Sequence, residues 1–196
     1  MEQIRTTEAM AHVGERVCLH GWLHAIRRMG GIHFVVLRDG YGLIQAVTES
    51  EADLETVAGI SLESIITLEG VVVATEYAPG GVELHQPKIT VLNAVEDVLP
   101  VPLHKKALKA KMPALLDHAT VLNRHPQRRA IFKLAAGVMA GFRATLGANG
   151  FTEIQSPKIV GSATEGGANV FELGYFGRPA YLAQSPQFYK QIMVGV

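Results

Sequence analysis

Aromatic, cationic and amide side chains occur together in the first half of the chain, in a pattern that suits single-stranded nucleic acid. Phe34 lies in an apolar segment close to His24 and Arg27. On strand surfaces of this kind, aromatic rings stack on bases while cations hold phosphates. Further along, the Gln45 amide can both donate to and accept from a base edge, and Glu83 can accept from a base amino or imino group. A lone aromatic on a strand is also a common core residue, so both interpretations of Phe34 stay open.

A second group of polar residues near the end of the chain suits a small charged ligand. Glu165 lies among the small residues of segment 162–168. Such a segment lets a ligand approach closely, and a carboxylate there can bind an ammonium group. Gln187 and Lys190 are three apart, so they share a face if this segment is helical. The amide would lie near an amino group and the lysine would pair with a side-chain carboxylate. An ordinary surface turn and a solvated lysine are the alternatives.

Other kinds of site are not indicated by the sequence. The eight histidines are scattered, and no P-loop, dinucleotide fingerprint, metal-ligand cluster or nucleophile triad occurs. We therefore expect no metal site, and no catalytic residue is identified in these 196 residues. Cys18 is the only cysteine and lies in an apolar strand pattern, which favours a reduced core residue and a cytosolic protein.

Composition and charge indicate a protein with a hydrophobic core and two different halves. Hydrophobic residues make up 48% of the chain and charged residues 18%. No run approaches the roughly 20 apolar residues of a membrane span, and the N-terminus lacks the apolar stretch of a secretion signal. Residues 1–95 carry 6 of the 18 Lys+Arg and 12 of the 18 Asp+Glu, and residues 96–196 carry the remaining 12 and 6. An acidic first half argues against non-specific nucleic-acid binding, so recognition must depend on a local patch.

Alternating apolar residues and turn signals predict five strands in the first half. The predicted strands are 16–24, 32–37, 42–48, 64–75 and 81–93, with one short helix over 49–60. Five strands with a helix between the third and fourth is the order of an OB-fold barrel. Another small barrel or sandwich is the alternative.

The second half changes period after a proline-punctuated, basic connector over residues 96–127. Apolar residues then recur at helical spacing from Ala130 to Leu146 and predict a long amphipathic helix. Strands are predicted at 151–154, 171–175 and 180–183, followed by a helix that begins near Gln187. This part is an α+β domain that we expect to be incomplete, because its last helix still has an apolar face to bury.

Several strings resemble aspartyl-tRNA synthetases of the archaeal type. ATEGGANVF (163–171) and YLAQSPQFYKQIMVGV (181–196) are similar to the family's aspartate-pocket segments. GFRATLGANGFTEIQSPKIV (141–160) resembles motif one of the class II enzymes, and residues 21–47 resemble the anticodon-binding OB domain. The resemblance implies an OB-fold anticodon-binding domain over 1–95, a hinge over 96–127, and the N-terminal part of a class II catalytic domain over 128–196.

The same resemblance assigns roles to individual residues. It places the aspartate site on Glu165, Ser185, Gln187 and Lys190, and a homodimer contact of motif one on Pro157. The resemblance assigns anticodon recognition to four barrel residues: Arg27, Phe34, Gln45 and Glu83. Phe34 is the one that stacks on a base. One departure is Arg28, which replaces an acid of the family and changes a contact near the anticodon loop.

Two further positions bear on tRNA specificity. Family members that also charge tRNA(Asn) tend to have histidine and proline where this chain has His24 and Pro79. These side chains leave the third anticodon base loosely read, so that both G-U-C and G-U-U bind. The resemblance therefore implies a non-discriminating enzyme that aspartylates tRNA(Asp) and tRNA(Asn), the latter for later amidation.

The activity implied is an ATP- and Mg2+-dependent aspartate–tRNA ligase that works through aspartyl-adenylate in the cytoplasm. Its cationic motifs two and three, which stabilise charge on phosphate, follow the segments matched by these 196 residues. We therefore expect the chain to bind no cofactor through identified ligands and to be inactive alone. The alternatives are a stand-alone OB-fold tRNA-binding module and an asparaginyl-tRNA synthetase. Pairing of Lys190 with a substrate carboxylate argues against the asparaginyl enzyme.

Overall fold

The computed structural model describes residues 2–162 and 170–195, which form two compact units. The first unit is Met1–Phe132 and the second is Lys133–Val196. Glu165 lies outside the described residues. The connector predicted over 96–127 belongs to the first of these compact units.

A closed five-stranded barrel makes up most of the first unit, as predicted from the strand and turn pattern. The strand order around the barrel is β1-β2-β3-β5-β4, and β3 and β5 pair in parallel. A short helix lies between the third and fourth strands, so the OB-fold order is confirmed. The elements are β1 Arg16–Met29, β2 Ile32–Arg38, β3 Leu43–Thr48, α1 Glu51–Ala58, β4 Ile65–Ala74 and β5 Val82–Asn93.

Alternation along the strands builds the barrel core. In β2, Val35 and Leu37 are fully buried in the main hydrophobic cluster. Each such side chain contributes roughly 1.5–3 kcal/mol through burial. Successive strand residues point to opposite faces, so Phe34, Val36 and Arg38 lie on the outer face of the same strand. The core therefore fixes which side chains the barrel can present to a ligand.

Cys18 is not a core residue, contrary to the prediction from its apolar surroundings. It is half-buried on β1 and its sulfur lies 3.6 Å from Nε2 of His20. Its neighbours Val17 and Leu19 point into the barrel instead. The alternation of β1 therefore turns the thiol outward, and partial burial raises its pKa.

The connector has a small core of its own and contacts the barrel through an arginine side chain. It contains α2 (Met112–Asp117) and α3 (Ala119–Leu122). Val101, Leu103 and Leu122 are buried together. Arg124 follows α3 and its guanidinium lies over the ring of Trp22 on β1, 4.8 Å from the ring centre. The segment is thus folded rather than only a solvated basic run.

The second unit is dominated by a long helix, as predicted. α4 spans Pro126–Ala148, beginning in the first unit, and β6 (Ile159–Val160), β8 (Arg178–Leu182) and β7 (Glu172–Tyr175) form a three-stranded sheet in that order. The last helix, α5, is Gln187–Ile192. The strand predicted at 151–154 is wrong: these residues are irregular. A short apolar run does not by itself specify a strand, which also needs a neighbouring strand to pair with.

The apolar side of α4 is open to solvent. Leu134, Val138 and Phe142 are each about two-thirds exposed or more, and all three lie on this helix. By length and composition alone α4 could cross a membrane, which corrects the expectation that no segment qualifies. Length and composition are weak grounds, because helices from the cores of water-soluble domains satisfy the same criterion. The exposed side shows that α4 presents an apolar surface that the described residues leave uncovered.

Candidate functional site

The outer face of β1, β2 and β3 brings together the aromatic and cationic residues expected to bind nucleic acid. Phe34 is half-buried and lies outside the core cluster. It is paired across the sheet with Arg27 on β1 and with Val47 on β3. Arg27 is exposed. An aromatic ring beside a cation on a barrel face can stack on a base while the cation contacts phosphate.

Gln45 and Glu83 meet on the same barrel because β3 and β5 are paired at these two residues. Gln45 Nε2 donates to one oxygen of Glu83 at 2.9 Å, and His85 Nε2 lies 2.9 Å from the other oxygen. The carboxylate is therefore held from both sides. His85 was missed from the sequence, although its place two residues after Glu83 puts it on the same side of β5.

His24 lies at a bulge of β1 and is locked in one orientation by Arg38 of β2. Arg38 Nη1 donates to His24 Nδ1 at 3.2 Å. Arginine has no acceptor, so the imidazole must be neutral and carry its proton on Nε2. Burial, followed by the positive charge of Arg38, lowers the pKa of His24 from 6.5 to about 4. The position thus presents a neutral N–H donor at ordinary pH.

Pro79 lies on a separate turn of the barrel. It begins a 3₁₀ turn, Pro79–Gly81, between β4 and β5, and is half-buried. This turn packs near β3, the strand that carries Gln45. Pro79 and His24 are thus held by different elements of the barrel.

A buried charge cluster next to His24 was not predicted from the sequence. Arg38 Nη2 donates to a Glu63 oxygen at 2.6 Å, and both side chains are only 3% exposed. Arg124 Nη1 reaches the same oxygen at 3.4 Å. Trp22 lies against both guanidinium groups, 5.3 Å and 4.8 Å from its ring centre. The partners are far apart in the sequence, so no local spacing signal marks them.

The residues of the second unit that are proposed to bind an amino acid lie around the start of α5. Gln187 is the first residue of this helix and Lys190 lies one turn later, so they share a face as the spacing predicted. Both are exposed, and Ser185 is half-buried just before the helix. The predicted partner, Glu165, lies outside the described residues, and the approach of Glu165 to Lys190 stays a prediction.

Pro157 lies in the irregular segment between α4 and β6 and is exposed. Within residues 2–162 and 170–195, no group of three or more His, Cys, Asp or Glu could hold a metal ion.

Two family models match the chain on either side of the connector. Residues 17–92 match the OB-fold nucleic acid binding domain, and residues 111–196 match class II tRNA synthetases (D, K and N). The first match coincides with the barrel and the second contains α4 and α5. Fold and matches together show that the chain carries an OB-fold nucleic acid binding domain followed by part of a class II tRNA synthetase domain.

Similar proteins of known name indicate which synthetases within this class the chain resembles. A protein of Deinococcus radiodurans named aspartate–tRNA(Asp/Asn) ligase is 42% identical over the whole chain, and one of the same name from Sulfurisphaera tokodaii is 40% identical over 93% of it. The asparaginyl-tRNA synthetase of Pyrococcus horikoshii, solved with asparaginyl-adenylate, superimposes with a TM-score of 0.84 at 34% identity; the match covers all of this chain and 46% of that one. The chain belongs to the aspartyl-tRNA synthetase family. It spans 44% and 43% of the lengths of the two ligases.

Proposed function

We propose that this chain supplies the anticodon-reading barrel and part of the aspartate pocket of a non-discriminating aspartate–tRNA ligase. The whole protein would aspartylate both tRNA(Asp) and tRNA(Asn) with ATP, through aspartyl-adenylate. The observation that carries the proposal is the shared barrel surface of Phe34, Arg27, Gln45 and Glu83. The names of the two ligase relatives give the same pair of tRNAs.

Each barrel residue has a physical role in the proposal. Phe34 stacks on an anticodon base and Arg27 contacts phosphate. Gln45 is only 5% exposed and donates one amide proton to Glu83, so it would read a base edge through the small part of its amide that reaches the barrel surface. Glu83 is held by Gln45 and His85, which fixes the direction of its acceptor lone pairs. A preorganised surface of this kind binds a base with little loss of side-chain freedom.

The proposed aspartate pocket uses the start of α5. Lys190 pairs with the substrate side-chain carboxylate, while Gln187 and Glu165 hold the α-amino group and Ser185 lies beside them. Exposure of Gln187 and Lys190 in this chain leaves both side chains accessible to a ligand. The chemistry of the class uses ATP and Mg2+. Among the described residues, none is identified as a ligand of either.

We further propose that the complete protein is a cytoplasmic homodimer built through motif one. Leu134, Val138 and Phe142 give α4 an apolar exposed side, and Pro157 ends the same motif. Apolar surface of this extent favours burial against another protein surface. The second half of the catalytic domain and a second subunit would share in covering it.

Replacement of the stacking aromatic tests the proposed function. Phe34→Ala should weaken binding of a tRNA(Asp) transcript by about 1–3 kcal/mol, the range for loss of one base-stacking platform. Calorimetry or filter binding on the 196-residue chain measures the change. The matched control is Tyr41→Ala, an exposed aromatic in the turn between β2 and β3. Equal affinity of wild type and Phe34→Ala would remove Phe34 from the recognition surface.

The asparaginyl enzyme is the second candidate, because a solved asparaginyl-tRNA synthetase has a TM-score of 0.84. The two candidates differ in the third anticodon base that they accept. An asparaginyl enzyme must select G-U-U, whereas the proposed ligase binds G-U-C and G-U-U alike. Comparison of the two anticodons therefore separates them.

A further inference from the structure

The loop that joins β4 to β5, residues 75–81, carries an aromatic ring that lies in solvent. Tyr77 is 93% exposed, and no aromatic residue in the described part of the chain is more exposed. Single exposed apolar residues are common on protein surfaces, so exposure alone does not mark a site. Two further features, the rigidity of this loop and its position on the barrel, distinguish Tyr77 from such residues.

The backbone of the loop is held on both sides of Tyr77. Thr75 N donates to Gly81 O at 2.9 Å across the base of the loop, and Gly81 N donates to Ala78 O at 3.1 Å. Tyr77 N donates to Thr75 Oγ1 at 3.3 Å. Ala78 is buried, and Pro79, the first residue of the 3₁₀ turn, restricts the backbone further because its ring fixes φ. The ring of Tyr77 is therefore carried on a fixed backbone, and little conformational freedom is left to lose when it binds.

The loop continues directly into the proposed recognition surface of the barrel. Glu83 is the second residue of β5, and it pairs with Gln45 of β3. Phe34 lies on β2, the next strand around the barrel. The 3₁₀ turn of the loop also contacts β3. The loop thus borders the proposed surface at Glu83, at the opposite end from Phe34.

The chemistry of the loop suits a base rather than a phosphate group. The charged neighbour of Tyr77 within the loop is Glu76, whose exposed carboxylate repels phosphate. An aromatic ring can stack on any unpaired base, because every base has a π face. We propose that Tyr77 is a second base-stacking residue, which takes an unpaired base of the anticodon loop next to the bases bound between Phe34 and Glu83. This role rests on the proposed function, and it predicts no preference between G-U-C and G-U-U, because stacking is tolerant of sequence.

Three substitutions at one position separate stacking from apolar contact. Tyr77→Ala removes the ring and should weaken binding of a labelled anticodon stem-loop to the 196-residue chain by about 5- to 150-fold, the range for loss of one base-stacking platform. Tyr77→Leu keeps an apolar side chain without a π face and should weaken binding as well. Tyr77→Phe keeps the ring and should bind like wild type. Fluorescence anisotropy gives each dissociation constant, and an unchanged constant for Tyr77→Ala or Tyr77→Leu overturns the proposal.

Single base removals in the RNA identify the stacked partner. Stem-loops with an abasic site at one unpaired position are compared in wild type and Tyr77→Ala. If the ring stacks on one base, the abasic site at that position weakens binding to wild type more than binding to Tyr77→Ala, since the variant has already lost the contact. Losses that multiply independently at every unpaired position would mean that Tyr77 does not touch a base, and would overturn the proposal.

Two further variants serve as controls. Phe176→Ala removes an 89% exposed aromatic from the turn between β7 and β8, outside the barrel, and should leave binding unchanged. Normal binding by the Tyr77 variants, while Phe34→Ala still weakens binding, overturns the role of Tyr77 alone. If neither Phe34→Ala nor Tyr77→Ala changes the affinity, the proposed function is contradicted as well. A circular dichroism melt of each variant checks that the barrel stays folded, which the exposed position of Tyr77 leads us to expect.

Discussion

At the scale of single residues, His24 links the barrel face to acid stability. Its pKa is lowered from 6.5 to about 4 in the folded chain, so the unfolded chain binds the proton more tightly. The free energy of unfolding is therefore unaffected by this group above pH 6.5, and it decreases as the pH falls from 6.5 towards 4. Because the side chain is only half-buried, the contribution is about 1–2 kcal/mol after solvent screening.

The acid dependence is measurable by substitution. His24→Gln removes the titrating group, so the loss of unfolding free energy between pH 7 and pH 4 should shrink by about 1–2 kcal/mol relative to wild type. Urea unfolding followed by the fluorescence of Trp22, the single tryptophan, gives the free energy at each pH. Identical pH profiles for both proteins would show that His24 is not the group responsible.

For single residues, the sequence was informative only where a local pattern places the side chain. It was silent where the interacting side chains are far apart in the sequence. Phe34, Gln45 and Glu83 could be assigned to the barrel because each lies in a segment whose residue types and flanking turns predict a strand. Glu63 could not, because its two arginine partners lie 25 and 61 residues away and only the closed barrel brings them together.

At the scale of elements, the connector is joined to the barrel by the carboxylate of Glu63. This residue adopts a positive φ of 73° and still places its side chain between Arg38 of β2 and Arg124 beyond α3. A strained backbone at a buried ion pair is kept only where surrounding contacts hold it. The cluster therefore sets the position of the connector on the barrel.

Removal of this charge tests its structural role. Glu63→Gln leaves the buried Arg38 guanidinium without its counter-charge and should lower the unfolding free energy by about 3–5 kcal/mol. Glu15→Gln breaks a surface pair with His12 and should cost much less, because water screens charges at the surface. Circular dichroism during urea unfolding compares the two variants. Equal losses would mean that the buried cluster is no stronger than a surface pair.

Elements with a strong local pattern were predicted correctly, and those that depend on a neighbour were not. The five barrel strands and α4 follow from period-2 and helical spacing. Segment 151–154 has the residue types of a strand but is irregular, because strand formation depends on pairing that sequence periodicity does not report. The glycine at position 21 also depends on a neighbouring strand. A Cβ there would lie 2.7 Å from Leu37 Cδ2 of β2, which is too close for any side chain, and local sequence does not show this contact.

At the scale of the whole molecule, the chain combines a closed unit with an open one. The barrel and the connector each contain a buried hydrophobic cluster, whereas Leu134, Val138 and Phe142 of α4 are exposed. The sequence predicted an open second half from the apolar face of its last helix, α5, where Phe188 and Ile192 are exposed as well. The charge asymmetry divides the chain at residue 95, before the basic connector, and so does not coincide with the boundary between the two units.

The central claim is that the barrel reads an anticodon while tolerating either pyrimidine at its third base. The most direct measurement is the affinity of the 196-residue chain for stem-loops carrying G-U-C, G-U-U and, as a reference, C-U-C. We predict that G-U-C and G-U-U bind within a few-fold of each other and that both bind more tightly than C-U-C. A strong preference for one of the first two, or equal binding of all three, would contradict the account.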